Sequence, residues 1–218
     1  MELADLANLI KSRRSVRVWQ DKEVPEELLV QAIELATWAP NGGNQQNWRF
    51  YIIKNKATIK AIANAVQTSS DLINSWPEAA KFTNTTAPRP QGGVGFLGNA
   101  PAAIAIAAAK YQSQVDLILE AREKIDPRAA KMRNWRNIAD SRIQSVASAT
   151  AHLLLVFHQM GLGAVWMTGP MQAKKEIEKL LKVPTELDVV AFIPVGYPAE
   201  TPVSRGRKPV GEISEIIR

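Results

Sequence analysis

Apolar residues recur along this chain in two rhythms, and the alternation between them predicts an α/β fold. Leu3 to Ile10 carries them at helical spacing, with the helix ending near Arg13 or Arg14. Pro25 opens a second helix, where Glu26 and Glu27 complement the dipole and Leu28, Leu29, Ala32, Ile33 and Ala36 form one apolar face. That helix stops before Pro40, and Asn41-Gly42-Gly43-Asn44 reads as a loop. Arg49 to Ile53 then reads as a buried strand and Ala57 to Val66 as a helix.

Ser69 to Asn99 is the least regular stretch, broken by Pro77, Pro88, Pro90 and a run of glycines, and a loop region of that length points to function. Ala102 to Ala109 suggests a central strand, with a helix as the alternative that so many alanines leave open. Ile138 to Met160 is the strongest helical pattern. Its second half is apolar nearly all round, which places it inside the fold or at a dimer interface. Ala164 to Met167 reads as a short strand, Gln172 to Leu181 as a helix and Val189 to Val195 as another buried strand. An extended, basic, proline-rich tail follows from Pro198 to Lys208. With no internal repeat and no linker, residues 1–218 are expected to form one domain.

Composition narrows the chemistry. Hydrophobic residues make up 46% and charged residues 22% of the 218 positions, ordinary values for a globular protein. There is no cysteine, which removes disulfides, thiolate metal sites and thiol nucleophiles and suits a reducing, cytoplasmic setting. The N-terminus shows no signal-peptide pattern, and the apolar run Ala100 to Ala109 is too short for a membrane helix. The net charge of +6 raises nucleic acid as a partner. The basic clusters fall in no recognisable nucleic-acid motif, and a small anionic ligand explains them equally well.

Four segments carry the candidate chemistry. In Arg13-Arg14-Ser15-Val16-Arg17, an extended chain turns Arg13, Ser15 and Arg17 to one side, a set suited to a phosphate; the same run also fits a positively charged helix C-terminus. The segment from Ala39 to Phe50 packs five amide side chains close together, matching a heterocycle with alternating donors and acceptors. Gly161 to Pro170 runs a buried strand into Thr168-Gly169 at a helix start, where backbone N–H groups can meet a ligand. Arg205-Gly206-Arg207-Lys208 is a basic run that by itself fits a solvated tail. The only imidazoles, His152 and His158, stand six residues apart on the long helix, a spacing that does not suit a metal pair. No GxSxG, P-loop or GxGxxG occurs.

In their order and spacing these segments resemble the FMN-dependent nitroreductase family, over about Ala4 to Ile217. The resemblance implies an α/β (α+β) fold. Its parts are a central mixed β-sheet flanked by helices, a long buried helix, and a C-terminal arm extending over a dimer partner. It also implies a homodimer with FMN at each subunit interface. Hydride would pass from NADH or NADPH through flavin N5 to a small acceptor such as a nitroaromatic or quinone, in ping-pong fashion and without a catalytic side chain.

By position, Arg13, Arg14, Ser15 and Arg17 match the stretch that contacts the flavin phosphate, ribityl chain and pyrimidine edge, and Arg205 and Arg207 match a phosphate clamp. Pro40, Asn41, Gly42 and Asn44 match a loop that reaches the partner's flavin, and Thr168 and Gly169 match the neighbours of N5. Asn41 stands where serine is common, and Asn47 where proline usually precedes the tryptophan. A helix on the order of 20 Å long separates the first two segments, which favours supplying them from different subunits. A lid within residues 69–136 would set the substrate. The competing expectations are a reductive dehalogenase or flavin-consuming relative on the same fold, or a non-enzymatic basic module that binds nucleic acid or flavin.

Overall fold

The computed structural model describes residues 2–82 and 95–218. The prolines and glycines at 88–94 that made the middle of the chain look irregular lie outside those residues.

Among the described residues four strands form one sheet in the order β1-β2-β4-β3. They are β1 (Trp48–Ile53), β2 (Ala102–Ala109), β3 (Gly163–Ala164) and β4 (Leu187–Gly196). All three pairings are antiparallel: Trp48 lies opposite Ala108, Ala102 opposite Val195, and Gly163 opposite Gly196. The parallel component expected of a mixed sheet is limited to one isolated bridge, Ser15 to Ala164.

Helices cover both faces. The helices α2 (Glu26–Ala36) and α6 (Ser141–Gln159) pack on one, with Leu29, Ala32, Leu153 and Phe157 against Ala102, Ile104 and Ile106. The helices α3 (Lys56–Ser75) and α7 (Lys174–Leu180) pack on the other, with Ile59, Ile62 and Ile177 against Ala103, Ala105 and Ala107. Alternate residues of β2 therefore feed opposite cores. This explains why AAIAIAAA shows no polar–apolar alternation: both of its faces are dry. On the odd face the small alanines leave the volume to the isoleucines of α3.

Several boundaries differ from expectation. The expected helix from Ile138 to Met160 is two helices, α5 (Pro127–Ala139) and α6, separated by Asp140 in the left-handed region at φ 34°. Asp140 caps α6 by accepting from Ile143 N, a gain that offsets its unfavourable backbone geometry. Nor is α6 buried all round within one chain, since Ile143 and Ala151 are exposed. The expected Ala57–Val66 helix runs on to Ser75, because its polar second half faces solvent and needs no apolar rhythm. The strand at Arg49 to Ile53 is a half-exposed sheet edge and not a buried strand. The short strand after Gly161 is only Gly163–Ala164, and Met167 rejoins the sheet through a single bridge to Phe192. The next helix starts at Lys174, after a 3-10 turn from Gly169 to Ala173.

Between β2 and α6 the chain makes a helical hairpin of α4 (Gln114–Arg122) and α5. Its helices are joined by ion pairs of Arg136 with Asp116 and of Arg133 with Glu120 and Glu123. Arg136 and the Ser113 hydroxyl together hold the Asp116 carboxyl well below the usual carboxylate range. No helix among the described residues is long and apolar enough to cross a membrane.

Candidate functional site

After α1 (Leu3–Ser12) the chain turns extended and docks between β3 and the start of the C-terminal arm. On one side Val16 N donates to Ala164 O, and the buried Trp19 Nε1 donates to Gly163 O at 2.8 Å. On the other, Gln20 N donates to Tyr197 O and Ala199 N to Val18 O. One carboxylate oxygen of Glu200 accepts from both Arg17 N at 2.5 Å and Val18 N at 3.0 Å. This seam brings the first and fourth sequence segments together. Arg13, Arg14, Ser15 and Arg17 face Pro202 to Arg205 and Arg207 across a cleft of about 660 Å³.

The cleft is strongly cationic, with five arginines lining it and no acidic side chain. Arg13 is half-buried, and its Nη1 is shut off from water without a hydrogen-bond partner. Burial, then the charges of Arg207 and Arg14, lower the Arg13 pKa from its ordinary value. Arg14 bends back instead, donating through Nη1 to Lys11 O and Arg13 O, so the reading as a helix C-terminus also applies to that one residue. His158 sits beside the cleft, its Nε2 2.8 Å from Ser12 Oγ. Burial and the neighbouring Arg13 and Arg14 favour its neutral form.

The second segment lies elsewhere in the same chain. Asn41 closes its own loop: its Oδ1 accepts from Gln46 N and its Nδ2 donates to Ala39 O, so this side chain organises the turn. Gly43, Asn44 and Gln46 all take positive φ within that loop. Gly42 N donates to the buried Ser145 Oγ near the start of α6, and the Tyr111 ring lies against Gly42 on its other side. Asn47, at the position where proline is usual, donates to Ala109 O at 2.8 Å and clamps the open end of the β1–β2 pair. Pro40, Asn41 and Gly42 line a cleft of about 330 Å³ with Ser141, Gln144, Ser145 and Ser148.

That cleft and the arginine cleft sit at opposite ends of α6. The first is tied to Ser145 and the second borders His158, thirteen residues on, which is on the order of 20 Å along a helix. Thr168 and Gly169 line neither cleft. They are exposed, four and five residues beyond Ala164, with Thr168 O accepting from Met171 N. One chain thus joins the first and fourth segments and holds the second apart. Sequence reasoning missed Glu200, Ser145 and Tyr111, whose roles depend on pairings between residues far apart in the chain. Among the described residues no group of three or more His, Asp or Glu could hold a metal ion.

Known proteins share this fold. The model of the nitroreductase family matches residues 10–197. A Methanothermobacter thermautotrophicus protein with the provisional name NADH dehydrogenase/NAD(P)H nitroreductase is 29% identical over 204 residues, covering 92% of this chain and 81% of its own. A BluB-like flavoprotein from Clostridium difficile superposes with a TM-score of 0.80 at 26% identity, with full coverage of both chains. Iodotyrosine deiodinase, solved with FMN and 3-iodo-L-tyrosine, superposes at 0.70 with 26% identity, covering 98% of this chain and 97% of that one. The chain belongs to the nitroreductase family.

Proposed function

We propose that this chain is one flavin-binding domain and works as an FMN-dependent oxidoreductase, passing hydride equivalents from NADH or NADPH to a small organic acceptor such as a nitroaromatic or quinone. The observation that carries this reading is the arginine cleft, with five guanidinium groups, no carboxylate and a buried Arg13 Nη1 without a partner. A buried polar atom without a partner is rare and asks for a ligand acceptor. A phosphate ester supplies acceptor oxygens and opposite charge together. The cleft volume of about 660 Å³ also lies within the roughly 300–1,000 Å³ typical of small-molecule pockets.

When bound, FMN would supply the two-electron chemistry that links a reduced nicotinamide to the acceptor. The protein's part is to bind and orient. Arg13, Arg14, Ser15, Arg17, Arg205 and Arg207 hold the phosphate and polar edge. Pro40, Asn41, Gly42 and Asn44 of a second copy would close over the ring, and Thr168 and Gly169 would supply the groups beside the reacting nitrogen. A cytoplasmic setting suits a chain without cysteine. A second reading, reductive dehalogenation on the same flavin, is favoured by the likeness to iodotyrosine deiodinase. The purified protein is expected to be yellow, to bleach with NAD(P)H under argon, and to recover colour with a quinone or nitroaromatic. Recovery only with a halogenated phenol would select the second reading, and a colourless protein that takes up no FMN would reject both.

The separation of the two clefts supports a homodimer, because a second copy can bring its Pro40–Asn44 loop to the first copy's arginines. The arm supports this reading. Val203, Val210, Ile213, Ile216 and Ile217 are all more than 60% exposed, apolar groups that a chain on its own leaves in water. Strand β1 is an open sheet edge beside a groove of about 490 Å³ lined by Arg49 to Asn55, Leu180 and Leu181, where Tyr51 Oη is buried without a partner. An extended arm from another copy satisfies such an edge. Deleting residues 209–218 is expected to convert the dimer to monomer in sedimentation equilibrium. An unchanged dimer mass would remove the arm from the interface.

A further inference from the structure

The cleft between residues 13–17 and 202–207 holds more positive charge than one flavin phosphate neutralises. Five arginines line it, and a phosphate monoester brings only about −1.5 to −2 at neutral pH. About three positive charges are left over with that ester in place. Neighbouring groups offset this surplus only in part. Arg14 and Arg207 donate to backbone carbonyls, which are neutral, so their charges stay. Glu200 accepts from two neutral backbone amides, so its charge also stays and offsets about one of these, leaving a surplus of about two.

NADH and NADPH share their nicotinamide and pyrophosphate and differ only in the 2′-phosphate, so a field that acts on that group discriminates between them. Resting on the flavin reading above, the geometry points to a second role for this cleft: beside the flavin phosphate it takes the 2′-phosphate of NADPH, making NADPH the favoured reductant. Arg17, on the extended segment after α1, and Arg205, on the arm, both line the cleft, and each brings a planar fork suited to phosphate oxygens. The pyrophosphate, common to both reductants, contributes affinity without selectivity.

Calorimetric titration of the FMN-loaded protein with adenosine 2′,5′-bisphosphate and with AMP tests this without turnover. At low ionic strength the bisphosphate is expected to bind about tenfold tighter or more, the scale of one charge-assisted hydrogen bond. The advantage should close toward parity at about 1 M salt, where the Debye length falls to roughly 3 Å. Arg205→Gln, normalised to flavin content from absorbance, should remove most of it, and the kcat/KM ratio for NADPH over NADH should fall in parallel. Equal binding of the two nucleotides, or an advantage indifferent to salt, would overturn the assignment. A protein that never takes up FMN would overturn the reading beneath it, so the two failures are distinguishable.

Discussion

Replacing Arg13 by alanine is expected to weaken FMN binding on the order of a hundredfold, since hydrogen bonds to charged groups contribute about 1.5–3 kcal/mol. The flavin-free chain should lose no stability. The two halves of this expectation share one cause. Without ligand the Arg13 guanidinium keeps a buried N–H unsatisfied and sits near the like charges of Arg207 and Arg14. Removing it relieves repulsion and a desolvation penalty, at the expense of some packing of its methylene stem. A structural arginine would behave in the opposite way, because its loss would destabilise the empty protein. Thermal unfolding with and without FMN separates the two cases. The wild type should gain stability from saturating FMN by mass action, and the variant should gain little at the same concentration. Arg13→Lys keeps the charge and loses the planar fork, so its FMN affinity should fall between the other two. Wild-type affinity in Arg13→Ala, or a sharp drop in melting temperature of its apoprotein, would remove Arg13 from the cofactor site.

Much of the fold was legible because the core is laid down in short-range periodicity. The apolar face of α2 and the buried run of β4 can be read residue by residue, whereas the alanines of β2 left strand and helix both open. Periodicity fails where an element is not held by burial. The polar second half of α3 is made mostly of weak helix formers and is tied by Gln172 Nε2 donating to Ser70 Oγ, a partner 102 positions away, so nothing in Ser69 to Ser75 announces it. The break at Asp140 was visible in principle, since an aspartate followed by Ser141 is a helix-start signal, but the apolar residues on both sides masked it.

The site divides in the same way. The arginines, the amide-rich loop and Thr168-Gly169 could be picked out as segments by residue type. Their spatial grouping could not, because it depends on pairings such as Arg17 N to Glu200 Oε1, made between positions 183 residues apart. Resemblance placed the Pro40–Asn44 loop against a partner's flavin. The structure adds a physical basis for that expectation, namely the length of α6 between the loop's anchor at Ser145 and the arginine cleft beside His158.

The seam holding the arginine segment makes Gly163 the second position of large expected effect. A Cβ added there would lie 2.6 Å from Val16 Cγ2 and 2.7 Å from Val16 Cβ, closer than such atoms approach. Val16 cannot swing aside easily. Its side chain is branched at Cβ and packs with Trp19, Ala100 and Val165, and its N–H is bound to Ala164 O. Gly163→Ala should therefore push the 13–17 segment off β3 and destabilise the chain by about 1–3 kcal/mol, the usual range for overpacking. It also loosens the Trp19 Nε1 bond to Gly163 O, which fixes the far end of the segment. Because Arg13, Ser15 and Arg17 ride on that segment, FMN affinity should fall together with stability, although Gly163 lines no part of the cleft. Val16→Gly in the same chain removes the Cβ that stands 2.7 Å from the new methyl as well as both branches, and so frees the space it needs. The double variant should recover FMN affinity relative to Gly163→Ala, and a double-mutant cycle measures the coupling. Strict additivity of the two substitutions in both melting temperature and FMN affinity would show that the contact between β3 and Val16 does not position the arginines.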